Sequence, residues 1–113
     1  MNLRELKIRS EAAEALVKAM ASRPRLMILC ELSRGERTVT QLSAAVGLGM
    51  SAISQHLARL RADALVATRR ESQTIHYSLA SEGAAKLLDA LYQVYCAPRG
   101  ADKKRQSNKR RMK

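Results

Sequence analysis

Cys30, Cys96, His56 and His76 are the side chains of this sequence with the widest chemical range, as nucleophiles, redox centres or metal ligands. Their spacing narrows that range. The cysteines are far apart, with neither a Cys-x-x-Cys pair nor zinc-knuckle spacing, and no glycine-rich phosphate loop accompanies them. The chain therefore reads as a non-enzyme with no metal and no cofactor, its two thiols free in a reducing cytoplasm. A second set lies close together: Ser51, Ser54, Gln55 and Arg59. Serine donates or accepts, glutamine pairs bidentately with adenine, and arginine suits guanine or phosphate. That is the chemistry of reading duplex DNA.

Charge points the same way. At 113 residues with 46% apolar content the chain is long enough for one small domain and too short for two. Twenty-one Lys and Arg against 10 acids leave a net charge of +11, which implies a polyanionic partner. With 3 Tyr and neither Phe nor Trp there is little to stack unpaired bases on, so duplex DNA is favoured over single strands. The longest apolar run, Leu26 to Cys30, falls far short of the roughly 18 residues of a membrane span, and neither a membrane partner nor a signal peptide is expected. Residues 98–113 hold eight basic side chains and one acid and almost nothing apolar. They read as a disordered basic tail, adding phosphate affinity or serving only as a solvated solubility segment, while residues 1–97 form the folded domain.

The elements that position these residues follow from periodicity. From Leu6 onward, Ala12, Ala13, Leu16, Val17 and Met20 recur at helical spacing, and Pro24 suits the first turn of a second helix that ends at Gly35. Thr38 to Gln41 is a capping box opening a two-turn third helix with Val39, Leu42, Ala45 and Val46 inward. Gly47-Leu48-Gly49 breaks the chain, and a fourth helix starts near Met50 with Ile53, Leu57 and Leu60 as its buried stripe. Leu65–Arg70 and Thr74–Leu79 alternate as strands joined by Glu71-Ser72-Gln73. Ser81 caps a last helix whose Leu87, Leu88, Leu91, Tyr92, Val94 and Tyr95 exceed what a small monomer can hide, so part of it is expected at a subunit interface.

Mainly α with a small β-hairpin, in this order, is the plan of a winged helix-turn-helix, expected here as a homodimer. The helix from Met50 would enter the major groove, presenting Ser51, Ser54 and Gln55 to base edges and Arg59 to phosphate or guanine. His56, at the edge of the buried stripe, is either a phosphate contact or structural. Arg69, Arg70 and Gln73 are placed to reach backbone or minor groove, unless the two arginines are simply solvated strand residues. A two-fold dimer would match a palindromic operator. A non-specific architectural or RNA-binding protein could use the tail, but would not need the Ser-Gln face.

The segments Met20-Ala21-Ser22-Arg23-Pro24-Arg25-Leu26, Ser51-Ala52-Ile53-Ser54-Gln55-His56-Leu57-Ala58-Arg59-Leu60-Arg61 and the hairpin through Thr74-Ile75-His76-Tyr77 resemble the ArsR/SmtB family of winged-helix repressors, over about residues 12 to 97. The resemblance implies a cytoplasmic homodimer that blocks transcription until an inducer acts. The family's cysteine pair near the third helix is matched here by Glu36-Arg37-Thr38-Val39-Thr40, and its Asp and His of the last helix by Ser81, Glu82 and Gly83, so neither metal site can form. Cys30 and Cys96 instead resemble the family's dithiol branch, which responds to reactive sulfur species or oxidants by joining the two cysteines. A further branch, with a similar hairpin and Ser-Gln-His segment and no cysteine pair, implies the alternative of a repressor without thiol sensing. In that case Cys30 is a small core residue and Cys96 a spectator. Many relatives carry Ser-Gln where this chain has Gly49-Met50, which removes an N-cap hydroxyl and a base-reading amide.

Overall fold

Three hydroxyls set where helices begin. Ser22, Thr38 and Ser81 have extended backbone and accept from the amide three residues on: Arg25 at 3.4 Å, Gln41 at 3.2 Å and Ala84 at 3.0 Å. Thr38 completes the capping box, its own N–H donating to Gln41 Oε1 at 2.9 Å. The computed structural model describes residues 2–98. Its elements are α1 (Leu3–Ile8), α2 (Ser10–Met20), α3 (Arg23–Leu32), α4 (Val39–Val46), α5 (Met50–Ala62), β1 (Val66–Glu71), β2 (Thr74–Leu79) and α6 (Glu82–Tyr95). This is the expected winged helix-turn-helix order, mostly helical with one antiparallel hairpin. The basic segment from residue 99 lies outside the described residues.

Two local expectations are corrected. The first helix does not run unbroken from Leu6: the chain leaves helical geometry at Arg9 (φ −111°, ψ 16°), and the Ser10 hydroxyl donates to the Lys7 carbonyl at 3.1 Å. A serine bonding back to the preceding turn competes with helix continuation, and α1 buries no residue that would oppose the break. Ala45 is exposed rather than inward. On a two-turn helix Leu42 is fully buried and Val39 and Val46 flank it on one side, whereas Ala45 falls about 60° to the other side of Leu42. The first strand also shifts by one residue, to Val66–Glu71, while the second stands at Thr74–Leu79 as expected, leaving only Ser72 and Gln73 as the hairpin loop, with Ser72 at φ +58°.

One cluster holds the helices together. Ile28 and Leu29 of α3, Leu42 of α4 and Ile53, Leu57 and Leu60 of α5 are all fully buried, with Leu65 and Val66 closing the cluster beneath the hairpin. Between α4 and α5 the chain turns at Gly47, whose φ of +84° is a left-handed conformation that a side chain disfavours. Its N–H donates to the Ser43 carbonyl, and the Ser43 hydroxyl donates to the Leu48 carbonyl. The hairpin is tied to the body by Arg37, whose N–H donates to Tyr77 O at 3.0 Å while Tyr77 N–H donates to Arg37 O at 2.8 Å.

Leu57→Ala is expected to cost about 2–5 kcal/mol in urea unfolding, because the cavity lies at the centre of the cluster. Ala45→Ser should change stability by less than about 0.5 kcal/mol, and a larger loss would restore the inward placement.

Candidate nucleic-acid interface and cysteine pair

A helix that spends Ile53, Leu57 and Leu60 on the core has two other columns to offer. Ser51, Gln55 and Arg59 recur at steps of four along one, and Ser54, Ala58 and Arg61 along the other, all of them exposed. Gly49 caps α5 without any side-chain bond, as Gly49-Met50 implied, so the amides of the first turn stay open toward an anion. His56 is half-buried at the edge of the core face. Arg59 donates to Asp63 Oδ2 at 3.1 Å, an exposed pair that competes only weakly with another anion. Arg61 was not singled out by sequence reasoning. It lines, with Ser54, Ala58 and Tyr77, the cleft between α5 and β2. Its i+7 step from Ser54 was the available signal.

The hairpin's two arginines differ sharply. Arg69 donates to both oxygens of Glu36, at 2.8 and 3.1 Å, and to Glu71 at 3.3 Å. Hydrogen bonding from Arg69 holds the Glu36 carboxyl below the usual carboxylate range, and the same bonds push Arg69 upward. The clasp is thus fully formed above that range and is lost as pH falls through the lowered value. Arg70, on the opposite face of the strand beside Ile75, makes no ion pair among the described residues. Gln73 is exposed at the tip, and His76 lies 3.6 Å from Glu71. Of the hairpin arginines expected to meet DNA, Arg70 makes no ion pair among the described residues, and Arg69 is held by Glu36 in a pair as exposed as Arg59–Asp63, which competes only weakly with another anion. Glu36 itself was missed, because its partner is 33 positions away.

Cys30 on α3 and Cys96 at the end of α6 are both free and exposed. They line one cavity of about 290 Å³ between the two helices, together with Met27, Leu91 and Tyr92. Next to Cys30, Glu31 accepts from Arg37 Nε at 2.9 Å, and Arg37 is the residue whose backbone holds β2. On the neighbouring face of α6 a second apolar cavity, about 320 Å³, is bounded by Val17, Met20, Leu87, Leu91 and Val94. Val17 and Val94 are more than half exposed at its edge.

Comparison with known proteins agrees with this geometry. The family described as "Bacterial regulatory protein, arsR family" matches residues 22–68. "Transcriptional activator HlyU" of Vibrio cholerae is 47% identical over 96 residues, covering 85% of this chain and 89% of the relative. "Nodulation protein NolR" of Rhizobium meliloti is 48% identical over 86 residues, covering 76% and 70%. The crystal structure of the transcriptional repressor BigR from Xylella fastidiosa superposes with a TM-score of 0.81 at 36% identity, covering 87% of this chain and all of that one. A homodimeric winged helix-turn-helix DNA-binding domain of Mycobacterium bovis superposes at 0.68 with 30% identity, covering 99% and 97%. No helix of the described residues is long and apolar enough to cross a membrane. With relatives this similar over most of their own length, the chain belongs to the ArsR family of bacterial regulatory proteins, as a winged helix-turn-helix transcriptional regulator and not an enzyme.

Proposed function

We propose that the protein is a homodimeric repressor that binds a palindromic operator in the cytoplasm and releases it when Cys30 and Cys96 become linked by a reactive sulfur species or another oxidant. The observation that carries the DNA half is α5, where a fully buried Ile53–Leu57–Leu60 stripe leaves Ser51, Ser54 and Gln55 as a slim exposed face. Only such a face fits within a major groove and brings hydrogen-bonding groups to base edges. Arg59, Arg61 and Arg70 surround it with charge for phosphate, and Gln73 extends the hairpin tip toward the adjacent backbone. Arg69, exposed on the other face of β1 and paired with Glu36, can exchange that carboxylate for a phosphate. The exposed apolar face of α2 and α6 supports pairing of two copies. The Mycobacterium bovis neighbour is itself described as homodimeric.

The thiol half rests on the shared cavity. Linking the cysteines ties α3, which carries the core of the helix-turn-helix, to α6, which carries the apolar face. Any shift of α3 is passed to the wing through Glu31, Arg37 and Tyr77. A coupling of about 1–3 kcal/mol, roughly 5- to 150-fold in affinity, is enough to vacate an operator. HlyU is described as an activator and BigR as a repressor. Direct occlusion of a promoter by the bound dimer is the simpler consequence of this architecture, and it favours repression.

Two outcomes test the halves separately. By fluorescence anisotropy at fixed salt, Gln55→Ala is expected to lose about 1–3 kcal/mol on the specific site and little on bulk DNA, whereas Arg61→Ala should weaken both alike and lower the salt slope by about 1. The reverse pattern would misplace the reading face. Cys30→Ser should bind the operator as tightly as the reduced native protein and keep it after polysulfide treatment. Release of DNA by that variant, at the native polysulfide concentration, would reject the dithiol mechanism.

A further inference from the structure

Among the described residues, the cavity shared by the two thiols bears no charged side chain on its walls, and this restricts what can occupy it. Leu26 and Leu88, both packed against the core, line it with Leu91 between α3 and α6, and Met27, Tyr92 and Tyr95 are its more exposed walls, at 42%, 45% and 78%. Its volume, about 290 Å³, is at the lower end of small-molecule sites and suits a molecule of one ring or a short alkyl chain. Moving a charged or strongly polar reagent against such walls strips water without replacing its hydrogen bonds. An apolar body gains about 25 cal/mol for each Å² it removes from water.

We infer that this cavity selects uncharged, apolar two-electron oxidants, and that organic hydroperoxides are the class of inducer it admits best. The inference rests on the thiol reading proposed above and adds the identity of the reagent. One cysteine thiolate attacks the terminal peroxide oxygen, the O–O bond breaks, and the alkoxide takes a proton and leaves as the alcohol. The attacking sulfur becomes a sulfenic acid. The second thiol attacks that sulfur, an S–S bond forms, and the hydroxyl departs as water with the thiol's proton. Two thiols lose two electrons in total, and one hydroperoxide is reduced to one alcohol. The apolar group of the oxidant rests against the lining leucines while its peroxide end reaches the sulfurs. Selectivity arises from where the reagent binds, and the reaction itself is the same for any peroxide.

The test uses the full reduced chain with cumene hydroperoxide and hydrogen peroxide, with intact mass after timed quenching to follow loss of two hydrogens. Each rate is divided by that of free cysteine with the same peroxide. The native chain should prefer cumene hydroperoxide by at least about tenfold after this correction, the scale expected for burying one ring. Met27→Lys places a charge at the mouth without removing either thiol, and should abolish the preference while leaving linkage by hydrogen peroxide intact. Tyr95→Asp, at a more exposed position, serves as the second variant should Met27→Lys fold poorly. A corrected ratio near one in the native chain, or a preference untouched in both variants, overturns the inference and leaves the dithiol intact. Failure of both peroxides to link the cysteines overturns this inference, and leaves the dithiol reading to the polysulfide test above.

Discussion

The constraint on which the rest depends is rotational. A 13-residue helix, α5, must have one angular setting about its own axis, because every degree of roll moves both its core face and its outer face. Ile53, Leu57 and Leu60 define that setting. All three are fully buried in the cluster with Ile28, Leu29 and Leu42, and each contributes about 1.5–3 kcal/mol by leaving water. The outer columns then need nothing large. Their serines, glutamine and alanine keep the helix slim, and their arginines fall in the last turn, beside the negative end of the helix dipole.

The wing is held by a different kind of bond. Salt bridges between exposed groups contribute at most about 1 kcal/mol, so Arg69 and Glu36 do not by themselves anchor the hairpin. The reciprocal backbone bonds between Arg37 and Tyr77 do that, adding a rung to the hairpin's edge. Glu31, partly sheltered with Arg37, connects this rung to α3. The loop from Ser33 to Thr38 therefore joins the thiol-bearing helix, the helix-turn-helix and the wing in one short stretch of chain. Under the proposed thiol switch, that economy is the physical route from Cys30 to the surface proposed to meet DNA.

Much of this was visible in the sequence because it is governed by local rules. The Thr38–Gln41 capping box, the Gly47 turn, the Ile53–Leu57–Leu60 stripe and the Ser81 cap each depend on residues within eight positions of one another, and each stands where periodicity put it. The break at Arg9 was missed because apolar spacing continues across it while the decisive event is one serine hydroxyl turning back on the chain. Ala45 was misjudged because alanine's small size fits either face. The pairing of Arg69 with Glu36 could not be read at all: Glu36 comes from a distant loop, and the two meet only after the hairpin docks. The juxtaposition of Cys30 and Cys96 was suggested by family resemblance and not by spacing, since nothing local relates two residues on separate helices. The apolar excess of α6, by contrast, was plain from composition along one helix.

Two copies of α5 presented by a two-fold dimer, reading an inverted repeat, is the central claim. Selection of bound duplexes from a random-sequence pool by the reduced full chain, with the stoichiometry of the enriched complex measured by sedimentation, tests it most directly. The account predicts an inverted repeat whose half-site centres lie about 10–10.5 base pairs apart, occupied by one dimer. Recovery of no shared sequence, or of a single half-site held by one chain, would contradict it.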